Sequence, residues 1–406
     1  MNKRAYVVLA ASVIMQVCMG ATYSWSVFAQ YLHNTCDVKL GTAQAPFSIF
    51  FVVFPAMTIV AGRLLERLGP TRMAMLGALV FAAGWFLAGL GEIHIVFSMI
   101  GMGVLGGLGV GLAYLVPIAA GMRWFPGRKG LVTGLAVAGF GGGAALISQV
   151  SEVLMGGHGL TPFATMRWLG LVFVLICLPA ASLLRYPPGA DDHAHRTSAP
   201  AGFLGERAFW LLYAAMCSGL AAGFTVNANL AQLNMSLGVK AGALAVALFA
   251  VANSVGRIAW GLMFDIVPAR TAIRANLLGQ AAVLAVHPWL LGSTVGLSAL
   301  AMVAGFNYGG VLVLYASSAG RRWGARHVGR VYGWLFSSNM FAAAAPLLAG
   351  MAFDRLGTFR ESLFVLAALL VAAAVCVRFE ERPEAVTPAA GILPGVDVVE
   401  PNASGS

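Results

Sequence analysis

About twelve apolar stretches, each long enough to cross a lipid bilayer, divide this chain of 406 residues. A transmembrane helix needs roughly 17 to 25 predominantly apolar residues. The stretches lie near residues 5–31, 44–62, 73–91, 95–121, 131–154, 163–184, 208–235, 241–263, 272–291, 294–319, 331–352 and 361–378. Charged residues make up only 10% of the chain, whereas soluble domains carry roughly 25%. The sequence therefore predicts an all-α membrane protein with twelve transmembrane helices.

The net charge of +10 follows from membrane topology and does not indicate a nucleic-acid partner. Nineteen of the 25 Lys and Arg residues fall in alternate loops on one side of the predicted spans, and five fall on the other side. Loops rich in Lys and Arg stay in the cytoplasm. We therefore expect a multi-pass protein of the inner or plasma membrane with both termini in the cytoplasm.

The one remaining cation, Arg257, lies inside the apolar stretch from Ala241 to Phe264, which contains no acid before Asp265. Burying a guanidinium in a membrane costs several kcal/mol, so an ionisable residue there marks a functional site by default. A small anion that binds and leaves would offset this cost. The alternative is that Arg257 extends toward the loop after Phe264 to reach water, which lies roughly 10 Å away at 1.5 Å per residue.

The chain repeats itself. Gly62 matches Gly261 and Gly130 matches Gly329, an offset of 199 residues that also aligns Glu66 with Asp265 and the Arg-Trp pair at 123–124 with the pair at 322–323. We predict two pseudo-symmetric six-helix halves, 1–184 and 208–380, joined by a polar cytoplasmic linker, 185–207. The tail, 381–406, is expected to be a disordered cytoplasmic segment. Parallel repeats of six spans with a substrate site between them are a known transporter plan.

The segment 62–72, GRLLERLGPTR, resembles the loop between spans 2 and 3 of the major facilitator superfamily. Its residues Gly62, Glu66 and Arg67, together with the repeat-related Asp265, form a conformational motif. An acid among basic residues at a helix–loop junction can latch neighbouring helices in one state of a transport cycle. The motif implies the major facilitator fold and indicates no particular substrate.

Four further motifs are similar to those of the oxalate/formate antiporter family and its monocarboxylate-transporter relatives. They are GATYSWSVF at 20–28, RWFPGRKGL at 123–131, NSVGR at 253–257 and FNYGG at 306–310. The resemblance implies that Arg257 holds the substrate carboxylate and that Tyr23, Tyr114 and Tyr308 belong to the wall of the cavity. Trp25 also aligns with a wall position but is expected on a different helix face.

Two asparagines depart from the family pattern. Asn253 stands where animal-type monocarboxylate transporters typically have an aspartate that helps to couple protons. Asn339 stands at the position of a second cation in the dicarboxylate-handling member. One fixed charge matches one substrate charge, and we therefore expect a monocarboxylate in preference to oxalate. Both asparagines are candidate substrate-binding residues.

These features predict a secondary transporter of a small organic carboxylate, most simply lactate, pyruvate or formate, that works as a monomer without metal or cofactor. Coupling by exchange with a counter-anion and coupling to a proton both remain open. Oxalate or dicarboxylate exchange is one alternative, and a non-transporting membrane sensor on the same scaffold is another. An enzyme is not expected, because no catalytic or metal-ligand set occurs within the spans.

Overall fold

The computed structural model describes residues 3–36, 38–188, 202–236 and 242–377, and these ranges contain helices and connections but no β-strand. The predicted tail, 381–406, and the middle of the predicted linker lie outside the described residues. Helices suit these long apolar stretches, because each helix satisfies its backbone hydrogen bonds within its own segment when it lies in lipid.

Twelve helical segments, α1–α12, run in chain order. Segment α1 joins Lys3–Met19 and Trp25–Cys36 through the 3-10 turn Gly20–Ser24, and α2 and α3 together form Leu40–Ala88, divided at Gly69. Segment α4 consists of Val96–Ser98, the π-helical Met99–Gly106, Gly107–Ala113 and Leu115–Trp124. The next five are α5, Lys129–Glu152; α6, Pro162–Leu183; α7, Arg207–Ser236; α8, Gly242–Ile266; and α9, Ala269–Ala285. The last three are α10, Thr294–Arg322; α11, made of Val328–Phe336, Ser338–Ala342 and Ala345–Leu356; and α12, Arg360–Cys376.

This arrangement fits twelve membrane spans. Nine helices among the described residues are long and apolar enough to cross a bilayer. One of the nine covers both α2 and α3. These two segments separate at Gly69, where the backbone φ is 75°, a conformation that only glycine adopts without strain. Helices α9 and α12 have 17 residues each, which is about the shortest length that crosses a bilayer.

Contacts between the halves confirm the repeat in three dimensions. A Cβ on Gly261 would lie 2.4 Å from the carbonyl oxygen of Gly130, and a Cβ on Gly62 would lie 2.5 Å from that of Gly329. The first contact joins α5 to α8 and the second joins α2 to α11. Exchanging the two halves converts one contact into the other, so the bundle has the two-fold pseudo-symmetry that the repeat predicted.

The repeated Arg-Trp pairs hold the two ends of the linker. Trp124 donates its indole N–H to the carbonyl of Arg185 at 2.6 Å, and the Arg123 guanidinium lies 3.4 Å from the ring centre of Tyr186. In the second half Arg322 and Trp323 both bind the carboxylate of Glu206, at 2.9 and 3.1 Å. Each half therefore fixes its own end of the connection.

We call the end of the bundle that carries the α2–α3, α4–α5, α8–α9 and α10–α11 connections the basic face. It is the end that the distribution of Lys and Arg predicts to be cytoplasmic.

Candidate functional site

A cavity lies between the halves near the middle of the spans. It is lined by Tyr23, Phe51, Phe54, Pro55, Tyr114, Val137, Phe140, Tyr308, Leu312, Phe336 and Asn339. Four predicted site residues, the three tyrosines and Asn339, therefore meet at one place. The volume is about 10 Å³, which is space for little more than one water molecule. An organic anion would fit only after these walls move apart.

Three of the polar wall residues sit at breaks in their helices. Tyr23 lies in the 3-10 turn of α1, where Thr22 and Ser24 donate their hydroxyls to carbonyls three residues earlier. Tyr114 lies at the break in α4 three residues before Pro117, which has no N–H for the helical ladder. Asn339 lies in the short middle piece of α11. Discontinuous helices near the midplane are typical of transporter binding sites.

Arg257 on α8 is only 4% exposed. Its Nε donates to the side-chain oxygen of Asn253 at 3.3 Å, and one Nη donates to the backbone carbonyl of Val137 on α5. Within the described residues it has no acidic partner. The alternative that Arg257 reaches the loop after Phe264 is therefore wrong for this conformation, because the side chain is directed across to the other half.

Glycines on α5 make room for the backbone and the side chain of Arg257. A Cβ on Gly141 would lie 3.0 Å from the Arg257 Nη1 atom, and a Cβ on Gly134 would lie 2.4 Å from the Arg257 carbonyl oxygen. Arg257 does not line the closed cavity itself. It contacts Val137, which does.

The hydroxyl and amide groups of the cavity are only partly satisfied. The Tyr114 hydroxyl is buried and has no hydrogen-bond partner at bonding distance in the described part of the chain. Asn339 donates to the carbonyl of Phe336 at 2.7 Å, three residues earlier on its own helix.

Trp25 lies outside the cavity, since its indole N–H donates to the carbonyl of Ala43 at 2.9 Å. This position agrees with the different helix face that was expected for it.

The sequence interpretation missed the apolar half of the wall. Phe54, Phe140 and Phe336 surround the Tyr114 ring, with ring-centre distances of 5.3, 5.6 and 5.0 Å. A lone phenylalanine in a span carries no signal that separates a cavity wall from a lipid-facing surface. The glycines at 141–143, directly after Phe140, were the available hint that α5 approaches another helix closely.

Between the cavity and the basic face, the two repeat-related acids make different contacts. Asp265 accepts the backbone N–H groups of Gly130 and Leu131, at 2.7 and 2.9 Å, in the first turn of α5. Glu66 instead lies 3.4 Å from Nδ1 of His327. Helix N-termini leave N–H donors unsatisfied and attract negative charge. The Asp265 contact therefore links α8 to α5 more strongly than the Glu66 contact links the second pair.

The other predicted motif residues have separate positions. Gly62 lies at the close approach of α2 and α11 described above. Arg67 is exposed at the basic face and makes no hydrogen bond or ion pair with the described residues. His327, which the motif did not predict, provides the contact to Glu66.

Comparison with known proteins identifies the family. The model for the Major Facilitator Superfamily matches residues 9–345. The chain belongs to the Major Facilitator Superfamily. It is 28% identical to the oxalate:formate antiporter of Oxalobacter formigenes over 357 residues, covering 84% of this chain and 82% of that protein. It is also 26% identical to monocarboxylate transporter 13 of Bos taurus, covering 90% and 86% of the two chains.

Solved structures agree on the fold. FucP, a transporter of this superfamily crystallised in the outward conformation, superposes with a TM-score of 0.73 at 14% identity, covering 92% of this chain and 99% of FucP. The predicted fold class and family resemblance are thus confirmed. This superfamily member is a multi-pass membrane transporter of the oxalate:formate antiporter and monocarboxylate-transporter type, it carries a small-molecule substrate, and it is not an enzyme.

Proposed function

We propose that this transporter carries a small organic monocarboxylate, such as lactate, pyruvate or formate, by alternating access, with Arg257 as the carboxylate-binding residue. The buried guanidinium without an acidic partner carries the argument. Arginine presents five N–H donors and cannot be deprotonated in proteins. Two of the five are used by Asn253 and Val137, and the rest are available for the two oxygens of a carboxylate.

The surroundings of Arg257 suit one small anion with an apolar body. The aromatic wall excludes water, which strengthens an ion pair in its interior. The phenol groups of Tyr23, Tyr114 and Tyr308 can donate to the carboxylate or to a 2-oxo or 2-hydroxy group. The carbonyl of Val137 accepts one N–H group of the guanidinium in this conformation. A bound carboxylate would compete for that donor and replace the carbonyl. Substrate binding would thereby loosen a contact between α5 and α8.

Oxalate exchange is the second candidate, favoured by the similarity to an oxalate:formate antiporter. Two carboxylates in one closed cavity call for two fixed charges. Among the residues described, no cation lines the cavity itself, Arg257 contacts only its wall residue Val137, and Asn339 at the position of the second cation is neutral. A monocarboxylate therefore fits better.

Coupling must work without a carboxylate in the cavity. The buried residues of the described chain include no Asp or Glu, and Asn253 supplies only an amide beside Arg257. We propose obligatory exchange of one anion for another, with the termini in the cytoplasm. The alternative coupling mechanism is symport with a proton carried by the substrate, since a carboxylate can take up a proton outside the membrane and release it inside.

The test is Arg257→Gln, measured by counterflow of labelled lactate, pyruvate, formate and oxalate in liposomes. Removing one partner of a buried charge pair costs roughly 2–5 kcal/mol, so we expect saturable uptake to fall by at least about 30-fold. Arg257→Lys should recover little, because lysine lacks the planar fork of donors. Arg270→Gln, at an exposed position, is the control. Wild-type uptake by the Arg257→Gln protein would place the site elsewhere.

A further inference from the structure

A groove of about 450 Å³ lies at the basic face of the first half, away from the central cavity. It is lined by Tyr6, Leu9, Trp124, Phe125, Pro126, Gly127, Arg128, Leu131, Val132 and Leu135. Helices α1 and α5 form its two walls and the α4–α5 connection forms its rim. The groove has no part in the proposed substrate path, because none of these residues lines the central cavity.

The lining has two chemically distinct parts. Toward the bilayer it is aliphatic, with Leu9 on α1 and Val132 and Leu135 on α5. At the rim, the Tyr6 ring meets Phe125 edge-on at a centre distance of 5.7 Å, and Arg128 is exposed without a hydrogen bond or ion pair to the described residues. No acid belongs to the lining. Aromatic residues and cations at this depth mark the headgroup level of a membrane.

We propose that this groove binds an anionic phospholipid, with the phosphate at Arg128 and an acyl chain along Leu9, Val132 and Leu135. Arg128 and Leu135 are seven residues apart, so the aliphatic wall extends roughly 10 Å from the charge toward the bilayer centre at 1.5 Å per residue. A water-soluble anion would use the cation and leave this wall bare. A phospholipid uses both, and basic pockets between helices on the cytoplasmic side bind anionic headgroups.

The repeat indicates one such site in each chain. The positions equivalent to Tyr6 and Leu131 in the second half are Gly205 and Arg330. A glycine removes the tyrosine of the aromatic rim and an arginine replaces one aliphatic side chain, so the second half lacks the same lining. The pseudo-symmetric half therefore serves as an internal control.

The position of the groove connects it to the α5–α8 contact. Arg128 directly precedes α5, and the first turn of that helix donates two N–H groups to Asp265. A phosphate at Arg128 would fix this turn against α1 and the membrane surface. A bound anionic lipid would then influence both the closing of the basic face and the stability of the folded protein.

The experiment is native mass spectrometry of the full chain from nanodiscs that contain equal amounts of phosphatidylglycerol and phosphatidylcholine with identical acyl chains. We expect wild type to retain one phosphatidylglycerol in preference to phosphatidylcholine. Arg128→Gln should weaken that retention about five-fold, the factor for one interfacial cation, while Arg128→Lys and the exposed control Arg270→Gln keep it. Leu135→Trp, which fills the groove, should lower retention with the charge intact.

Three results would overturn the proposal. Equal retention of both lipids by wild type would show that no anionic headgroup is recognised. Undiminished phosphatidylglycerol on a folded Arg128→Gln protein would place the lipid elsewhere. Finally, undiminished phosphatidylglycerol on a folded Leu135→Trp protein would show that no acyl chain lies in the groove.

Discussion

The substitution Asp265→Asn should open the basic face far more than Glu66→Gln, although the two acids occupy equivalent positions in the repeat. The Asp265 carboxylate accepts two backbone N–H groups in the first turn of α5, at 2.7 and 2.9 Å. An asparagine keeps one oxygen, turns an amide N–H toward the second donor, and removes the negative charge from a helix N-terminus.

The structure sets the size of this difference. Hydrogen bonds to charged groups contribute about 1.5–3 kcal/mol each, so losing one and weakening the other should cost about 2 kcal/mol of the closed state. That corresponds to a shift of about 30-fold in the open-to-closed ratio. Glu66 is 29% exposed in its side chain and meets only His327, at 3.4 Å. A pair of this kind is worth at most about 1 kcal/mol, which limits Glu66→Gln to about five-fold.

Distance measurements between spin labels can separate these outcomes. Labels at Arg63→Cys and Arg270→Cys, both exposed at the basic face, place one probe in each half. The five native cysteines, Cys18, Cys36, Cys177, Cys217 and Cys376, are first replaced by alanine or serine. We expect Asp265→Asn to populate a longer distance and Glu66→Gln to leave the distribution close to wild type. Equal shifts for both variants would refute the argument that contact geometry, and not sequence equivalence, sets the strength of each latch.

Three further outcomes are expected. Gly130→Ala should prevent closing of the basic face and slow transport at least ten-fold, because the added Cβ would lie 2.1 Å from the carbonyl oxygen of Gly261. Gly142→Ala on the same helix is the control and should transport normally, because a Cβ there would have no neighbouring atom within 4 Å. Asn339→Lys should raise the preference for oxalate over a monocarboxylate, and an unchanged ratio of half-saturation constants would contradict the one-charge argument. If transport is obligatory exchange, we expect little uptake into substrate-free, alkaline-inside liposomes. Rapid concentrative uptake into such liposomes would instead favour a proton carried by the substrate, and Asn253→Asp should then alter the pH dependence of uptake.

The sequence by itself determined the membrane character, the repeat and the exceptional status of Arg257. Span number follows from the length and polarity of each stretch, properties that depend on no other part of the chain. The repeat is visible because equivalent helices pack in equivalent ways, as at Gly62 and Gly261, which each approach a backbone carbonyl of the other half. An arginine in an apolar stretch needs no partner to be conspicuous, because its cost in a membrane is intrinsic.

Only the tertiary structure decided which side chains meet. The rotation and crossing of helices place Tyr23, Tyr114, Tyr308 and Asn339 at one cavity and turn Trp25 away. These positions depend on close approaches between segments hundreds of residues apart, which no local pattern encodes. The carbonyl of Val137 as a partner of Arg257 was likewise beyond the sequence, because every residue has a backbone carbonyl and only packing selects one.

The two repeat-related acids show the same division most clearly. The sequence placed Glu66 and Asp265 at equivalent positions and therefore could not distinguish them. The structure gives one acid two backbone donors and the other a histidine ring. Contact strength depends on distances of a few tenths of an ångström and on burial, both of which are set when the halves pack together.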